Sequence, residues 1–264
     1  MIIDMDHGPV FANTGGAAFD PAKPTAILVH GAGGDHSIWG GQNRYLAHHG
    51  ASVLAIDLPA HGRSGGKAID SISGLADFLI AFITAAQVET PILIGHSMGA
   101  LASLEAAARL GKDCAGLGLC GVAGQMPVHP DLLGAAQRNE LTAAQFIASW
   151  GHGSGGNPTH GVWMLSQAVT LINRTGPGVL YTDLKACAEY KGALDAAAKV
   201  TCPTQFLLGQ SDKMTPLKAA QPLINAIAGA QVTVLPAMGH MMTVESPVDS
   251  CSALMALLER VQAA

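Results

Sequence analysis

The segment Pro91-Ile92-Leu93-Ile94-Gly95-His96-Ser97-Met98-Gly99 joins a short apolar run to a helix-like stretch that continues to Leu110. An apolar run of this length, followed by G-x-S-x-G and then by a helix, predicts a strand, a tight turn and a helix. Such a turn holds its central residue in a strained backbone conformation, and the flanking glycines leave room for close chain approach. We therefore predict that Ser97 is a nucleophile whose hydroxyl group is exposed at the end of a strand.

Short apolar runs alternate with longer helix-like stretches along most of the chain. Besides residues 91–94, the strand-like runs are 26–29, 52–56, 116–120, 204–208 and 231–235. This alternation is typical of βαβ units. It predicts an α/β fold with a mostly parallel central sheet flanked by helices, formed as a single domain over residues 1–264.

The predicted nucleophile needs a base, because a serine hydroxyl is a weak nucleophile at neutral pH. His240 is our candidate, since it lies between the last strand-like run and a closing helix and gives the chain order Ser, Asp, His. Asp212, in the loop after the fifth run, is predicted to orient the imidazole and stabilise the imidazolium. Capping of a helix that begins near residue 215 is the alternative role for Asp212. Asp195 and Glu245 are weaker candidates, because neither follows a strand-like run.

A glycine-rich loop, His-Gly-Ala-Gly-Gly at residues 30–34, follows the first parallel run. A loop of this kind can direct a backbone N–H at a developing negative charge. We predict an oxyanion hole formed by the N–H groups of Ala32 and of Met98, the residue after the predicted nucleophile. A phosphate-binding loop is the alternative, but the sequence has neither G-K-[S/T] nor G-x-G-x-x-G at this point.

No strand-like run occurs between about residues 125 and 200, where helix-like pieces alternate with Gly/Pro-rich turns. This pattern predicts a helical insertion, and ligands in open α/β sheets bind beyond the carboxyl ends of the strands, where an insertion would cover them. Large or adaptable side chains near these segments are candidates for lining a substrate pocket, with core packing as the alternative. The candidates are His36, Met126, Trp150, Trp163, Met164 and Met241.

The composition limits the classes of function. Charged residues make up 12% of the chain, the formal net charge is −5, and no block of basic residues occurs, so neither a nucleic acid nor an anionic membrane is expected as a partner. The five cysteines form no C-x-x-C pair, and the first residues lack the basic and apolar parts of a secretory signal; both features favour a reduced, cytoplasmic location. Without H-E-x-x-H or similar spacing, we expect no metal and no organic cofactor.

Together these segments resemble the α/β-hydrolase superfamily. Residues 57–64, Asp-Leu-Pro-Ala-His-Gly-Arg-Ser, are similar to the family's D-x-P-G-x-G-x-S loop, with Ala60 in place of the usual glycine. Residues 209–216 and the Gly239-His240-Met241 segment are also similar to family segments. The resemblance implies a lid or cap at about residues 125–200. A serine at position 97 argues against the related epoxide hydrolases and haloalkane dehalogenases, which attack with a carboxylate.

The expected activity is hydrolysis of a small-molecule carboxylic ester through an acyl-enzyme intermediate. Hydrolysis of a C–C bond in a ring-cleavage product remains an alternative within the same superfamily. A ligand receptor that retains the triad is an alternative from another class of protein. The sequence does not determine the oligomeric state.

Overall fold

The computed structural model describes residues 1–153 and 158–263, with side chains described outside residues 158–162. Eight strands form one sheet in the order β1-β2-β4-β3-β5-β6-β7-β8. The strands are β1 Ile2–Met5, β2 Gly8–Asn13, β3 Thr25–Val29, β4 Ser52–Ile56, β5 Pro91–His96, β6 Gly116–Cys120, β7 Thr204–Gly209 and β8 Gln231–Leu235. The first two pairings, β1 with β2 and β2 with β4, are antiparallel, and all later pairings are parallel. The mostly parallel sheet predicted from the sequence is confirmed.

Helices cover both faces of this sheet. They are α1 Gly40–His48, α2 Ile72–Ala85, α3 Met98–Leu110, α4 Pro130–Gln137, α5 Leu141–Gly151, α6 Pro158–Ile172, α7 Val179–Glu189, α8 Ala193–Ala197, α9 Leu217–Ala226, α10 Met242–Glu245 and α11 Pro247–Gln262. The apolar core on one face includes α2, α3, α8 and α9, and the core on the other face includes α1 and α11. Because both faces are covered, β3 to β7 are buried along their whole length, which explains why their sequences are continuous apolar runs rather than alternating ones.

The segment between β6 and β7 is helical in the part that the structure describes, as the sequence predicts. Helices α4, α5 and α7 and the end of α6 share a third apolar cluster of their own. Helix α8 instead packs against α3 and α9, in the layer beside the sheet. We call α4–α7, residues 130–151 and 158–189, the cap. Its core also contacts Ala32, in the glycine-rich loop after β3.

No helix among the described residues combines the length and the apolar character that crossing a bilayer requires.

Candidate active site

Ser97 occupies the turn between β5 and α3, with φ 54° and ψ −116°. An L-residue in such a conformation costs of order 1–3 kcal/mol and persists only where the surroundings impose it. Two glycines make the turn possible. A Cβ atom at Gly95 would collide with the backbone of Gly99, and one at Gly99 would collide with the carbonyl groups of Val29 and His30. The G-x-S-x-G pattern is therefore a steric requirement of this crossing.

His240 and Asp212 form a buried pair at the ends of β8 and β7. The Nδ1 atom of His240 lies 2.9 Å from Oδ2 of Asp212. Oδ1 of Asp212 accepts hydrogen bonds from the N–H groups of Met214 and Thr215, and Oδ2 also accepts from the Thr215 hydroxyl. Burial alone would raise the pKa of Asp212, but His240 and Thr215 outweigh it and hold the pKa well below its usual value. Asp212 is therefore an ionised acceptor that fixes the His240 tautomer with a proton on Nδ1.

Asp212 does not cap the following helix, because α9 has Pro216 as its N-cap and no side-chain cap bond. One carboxylate oxygen organises the turn after β7, and the other accepts from His240. Asp195 is exposed on α8, and Glu245 accepts hydrogen bonds from the backbone of Gly153 and Gly239. Neither alternative acid has a recorded bond to His240 among the described residues.

His96, directly before the predicted nucleophile, is a site residue that the sequence analysis did not identify. Its Nε2–H donates to the backbone oxygen of His240 at 2.8 Å, which ties the loop after β8 to the elbow after β5. Its Nδ1 atom is buried and has no hydrogen-bond partner among the described residues. Burial, together with the His240 ring nearby, lowers the pKa of His96 to about 3. The side chain is therefore neutral. No spacing rule singles it out, because its partner is a backbone carbonyl 144 positions away.

Two backbone N–H groups beside Ser97 lack acceptors within the described residues: those of Ala32 and Met98. Two other N–H groups of the glycine-rich loop are already used, since Gly33 donates to Asp183 at 2.9 Å and Gly34 donates to the Gly31 oxygen at 3.1 Å. Met98 is the first residue of α3, where helical N–H groups have no partner within the helix. The oxyanion role of these two N–H groups stays a prediction.

Ser97 and His240 open onto one cavity of about 420 Å³ between the strand ends and the cap. Ala32, Gly31 and Gly34 line it from the glycine-rich loop, whereas most of the remaining lining is apolar and comes from the cap and the loop before it. No hydrogen bond joins the Ser97 hydroxyl to His240 among the described residues. Such bonds are often long in the absence of substrate and tighten when it binds.

The six pocket candidates divide into two groups. Met126, Trp150 and Met241 line the cavity. His36, Trp163 and Met164 are absent from its described lining, which corrects the expectation for these three. Trp163 is 67% exposed on α6. The imidazole of His36 instead bonds to Asp57, with 2.8 Å between Nδ1 and Oδ1.

Asp35, His36 and Asp57 place potential metal-ligand atoms within 4.8 Å of one another. Both carboxylate oxygens of Asp57, however, already accept hydrogen bonds from the protein. Its Oδ1 accepts from the backbone and the ring of His36, and its Oδ2 accepts from the N–H of Arg63. These bonds hold the loop after β4 against the start of the short helix at residues 36–39, so we assign the cluster a structural role.

The fold and this strand–elbow–helix site define the class of protein. Residues 26–254 match the sequence profile of the Alpha/beta hydrolase family, and the chain belongs to this family.

Particular relatives show how far the similarity extends. The chain is 33% identical over 121 residues to a 2-succinyl-6-hydroxy-2,4-cyclohexadiene-1-carboxylate synthase of Escherichia coli O157:H7; the match spans 46% of this chain and 44% of that protein. The chain thus matches less than half the length of this curated relative. Among solved structures, an enol-lactonase from Burkholderia xenovorans LB400 has a TM-score of 0.88 at 18% identity, covering 98% of this chain and 100% of that one. The esterase EaEST from Exiguobacterium antarcticum has a TM-score of 0.85 at 16% identity, with 98% and 99% covered. At these identities the structural matches establish the fold.

Proposed function

We propose that this α/β hydrolase cleaves a carboxylic ester through an acyl-enzyme intermediate on Ser97. One observation carries the proposal: Ser97, Ala32 and His240, whose ring bonds to Asp212, line a single cavity. The N–H groups of Ala32 and of Met98, the residue after Ser97, have no acceptor among the described residues. Each element of acyl transfer has a candidate in this set, namely a nucleophile, an oriented base and a site for the oxyanion.

The proposed reaction has two halves. Ser97 Oγ attacks the ester carbonyl while Nε2 of His240 takes the hydroxyl proton, and Asp212 stabilises the imidazolium. The carbonyl oxygen becomes an oxyanion bound by the N–H groups of Ala32 and Met98, each worth about 3 kcal/mol of transition-state stabilisation. His240 then returns the proton to the departing alcohol. Water repeats the sequence on the acyl-enzyme and releases the acid and free Ser97.

The cavity favours an ester with an apolar acyl or alcohol group. Among its described lining residues there is no aspartate or glutamate, and Lys213 is the one lysine or arginine. The partial similarity to a synthase makes synthesis of a cyclohexadiene carboxylate a second candidate. A carboxylate-bearing ligand in that role would need compensating cations in the pocket. Lys213 is exposed at the rim of the cavity, so it gives little charge compensation to a carboxylate inside the cavity.

Turnover of a panel of p-nitrophenyl and methyl esters with graded acyl length tests the proposal. We expect many turnovers per protein molecule, with kcat/KM rising as the acyl chain lengthens within the apolar cavity. Ser97→Ala is the control for background hydrolysis. Binding without turnover would indicate a receptor. Faster conversion of a dienoic ring-cleavage product than of any ester would favour C–C bond hydrolysis.

A further inference from the structure

A second buried histidine–aspartate pair lies beside the candidate active site and is not part of it. His61, in the loop after β4, and Asp183, on cap helix α7, are joined by a 2.8 Å contact between Nε2 and Oδ2. Both side chains are 2% exposed. The proposed reaction uses neither residue, and a buried pair of this kind is costly to desolvate.

Both ring nitrogens of His61 face oxygen atoms. The Nδ1 atom of His61 faces the backbone oxygen of Pro59 at 3.0 Å, and its Nε2 faces the Asp183 carboxylate. Both neighbours are acceptors, so both ring nitrogens must carry protons when Asp183 is ionised. Burial alone would lower the pKa of His61, but Asp183 and the Pro59 carbonyl outweigh it and raise the pKa. This environment favours the protonated form of His61.

Asp183 also contacts the loop that carries the candidate oxyanion donor. The Oδ2 atom that accepts from His61 accepts the N–H of Gly33 as well, at 2.9 Å. One helical turn earlier, Leu180 lies so close to Gly33 that a Cβ there would contact it at 2.9 Å. Gly33 has φ 64°, a conformation that only glycine adopts freely, so the loop needs external restraint to keep one shape.

The two peptide groups that flank Ala32 are restrained from opposite sides. The Gly31 carbonyl accepts from Nδ1 of His30 at 2.8 Å and from the Gly34 N–H. Because a trans peptide places C=O and N–H on opposite sides, these bonds direct the Ala32 N–H away from them. The next peptide is held by its Gly33 N–H on Asp183. The first restraint comes from the sheet and its loop, whereas the second comes from the cap.

We propose that Asp183, held by His61, is a positioning residue that completes the oxyanion hole from the cap. Full activity would then require the contact between α7 and the loop at residues 31–34, although the cap supplies no residue of the triad. This inference rests on the proposed ester hydrolysis at Ser97.

The test compares Asp183→Leu with Asp183→Asn on p-nitrophenyl acetate, a substrate too small to depend on cap contacts for binding. Leucine removes the acceptor of the Gly33 N–H, and kcat should fall about 10- to 100-fold with KM within about threefold of wild type, approaching the loss of one oxyanion donor. Asparagine can place its carbonyl oxygen at the position of Oδ2 and still accept from the Gly33 N–H, so kcat should stay within about fivefold of wild type.

Tyr190→Phe is the matched control for loosening of the same helix. The Tyr190 hydroxyl, one residue beyond α7, donates to Glu105 on α3, so its loss weakens the attachment of α7 without touching the loop. If Asp183→Leu folds poorly, the double variant His61→Phe/Asp183→Leu removes both charges together and still lacks the acceptor. Affinity for an alkyl boronic acid, which forms a tetrahedral adduct on Ser97, should fall in parallel with kcat.

The inference is overturned if the leucine variant, alone or in the double variant, keeps kcat within threefold of wild type. It is also overturned if Tyr190→Phe loses as much kcat, or if the boronate affinity stays constant while kcat falls. The proposed function is tested separately, by measurements on the wild-type protein. An absence of ester turnover and of Ser97 acylation there would remove both conclusions.

Discussion

At the scale of single residues, the candidate site residues that the sequence predicts are those whose positions depend on local backbone geometry. Ser97 was identifiable because the elbow requires glycines two positions before and after it. His240 and Asp212 were identifiable because the loops at the ends of neighbouring parallel strands meet at one edge of the sheet. Thr215 and His96 had no such signal, since each contacts His240, which lies 25 and 144 positions away along the chain.

Ala60 shows a departure from the family pattern with a visible consequence. The usual glycine of the loop after β4 is replaced, and Ala60 adopts φ 68°. Its N–H still donates to the Gly65 oxygen at 2.9 Å, so the loop keeps its turn at the expense of backbone strain.

The buried, neutral state of His96 predicts an acid-dependent loss of stability. Its pKa is about 3 when folded, against a usual value of 6.5, so the unfolded chain binds a proton that the folded protein rejects. This contribution is fully present above pH 6.5 and is lost as the pH falls toward 3, at about 1.4 kcal/mol per pH unit. His96→Gln can still donate to the His240 carbonyl but does not titrate.

Urea unfolding of both proteins between pH 7 and pH 4 measures the difference. The free energy of unfolding of wild type should fall by about 3 kcal/mol more than that of His96→Gln over this range. His30, whose pKa is lowered to about 4, contributes with the same sign in both proteins and cancels. His61 has a raised pKa and the opposite sign, since its contribution is lost as the pH rises. Parallel stability curves for the two proteins would contradict the assignment of His96 as buried and neutral.

At the scale of elements, the strands were more predictable than the cap. The sequence runs that form β3 to β8 were recognisable. Strands that are covered on both faces of a parallel sheet consist of continuous apolar residues, and the edge strand β8 is rich in β-branched residues. The cap was recognisable only as a helical insertion. Which faces of α4–α7 turn toward the cavity depends on packing against one another and on the loop at residues 31–34. Trp150 and Trp163 therefore looked equivalent in the sequence but differ in the structure.

Substitution of these two tryptophans tests the placement of the cap. Trp150 lines the cavity and stacks on Phe146 with 4.7 Å between ring centroids, whereas Trp163 is exposed. Trp150→Ala should raise KM for long-chain p-nitrophenyl esters by about tenfold and change acetate hydrolysis little, because a short acyl group uses little of the cap. Trp163→Ala, the matched control, should leave both substrates near wild type. Equal losses on both esters, with a lower melting temperature, would make Trp150 a packing residue only.

At the scale of the whole molecule, the features that sequence reasoning missed share long separations along the chain. Gly33 and Asp183 lie 150 positions apart, and His61 and Asp183 lie 122 apart. Neither pairing belongs to a motif, and Asp183 in isolation is one acidic residue among nineteen. The architecture was predictable because periodicity and turn chemistry are local properties. The packing of the cap against the loops of the sheet was not predictable, because those contacts join residues that are far apart in the sequence.

We infer that this fold activates one serine, Ser97, as a nucleophile. Treatment of the protein with a fluorophosphonate probe, followed by intact-mass analysis and peptide mapping, tests it most directly. We predict one adduct per chain, located on Ser97, and none on a folded Ser97→Ala variant, whose ester turnover should be lower by about 10⁴-fold or more. Labelling of another serine, or a Ser97→Ala variant that keeps wild-type turnover, would contradict the account.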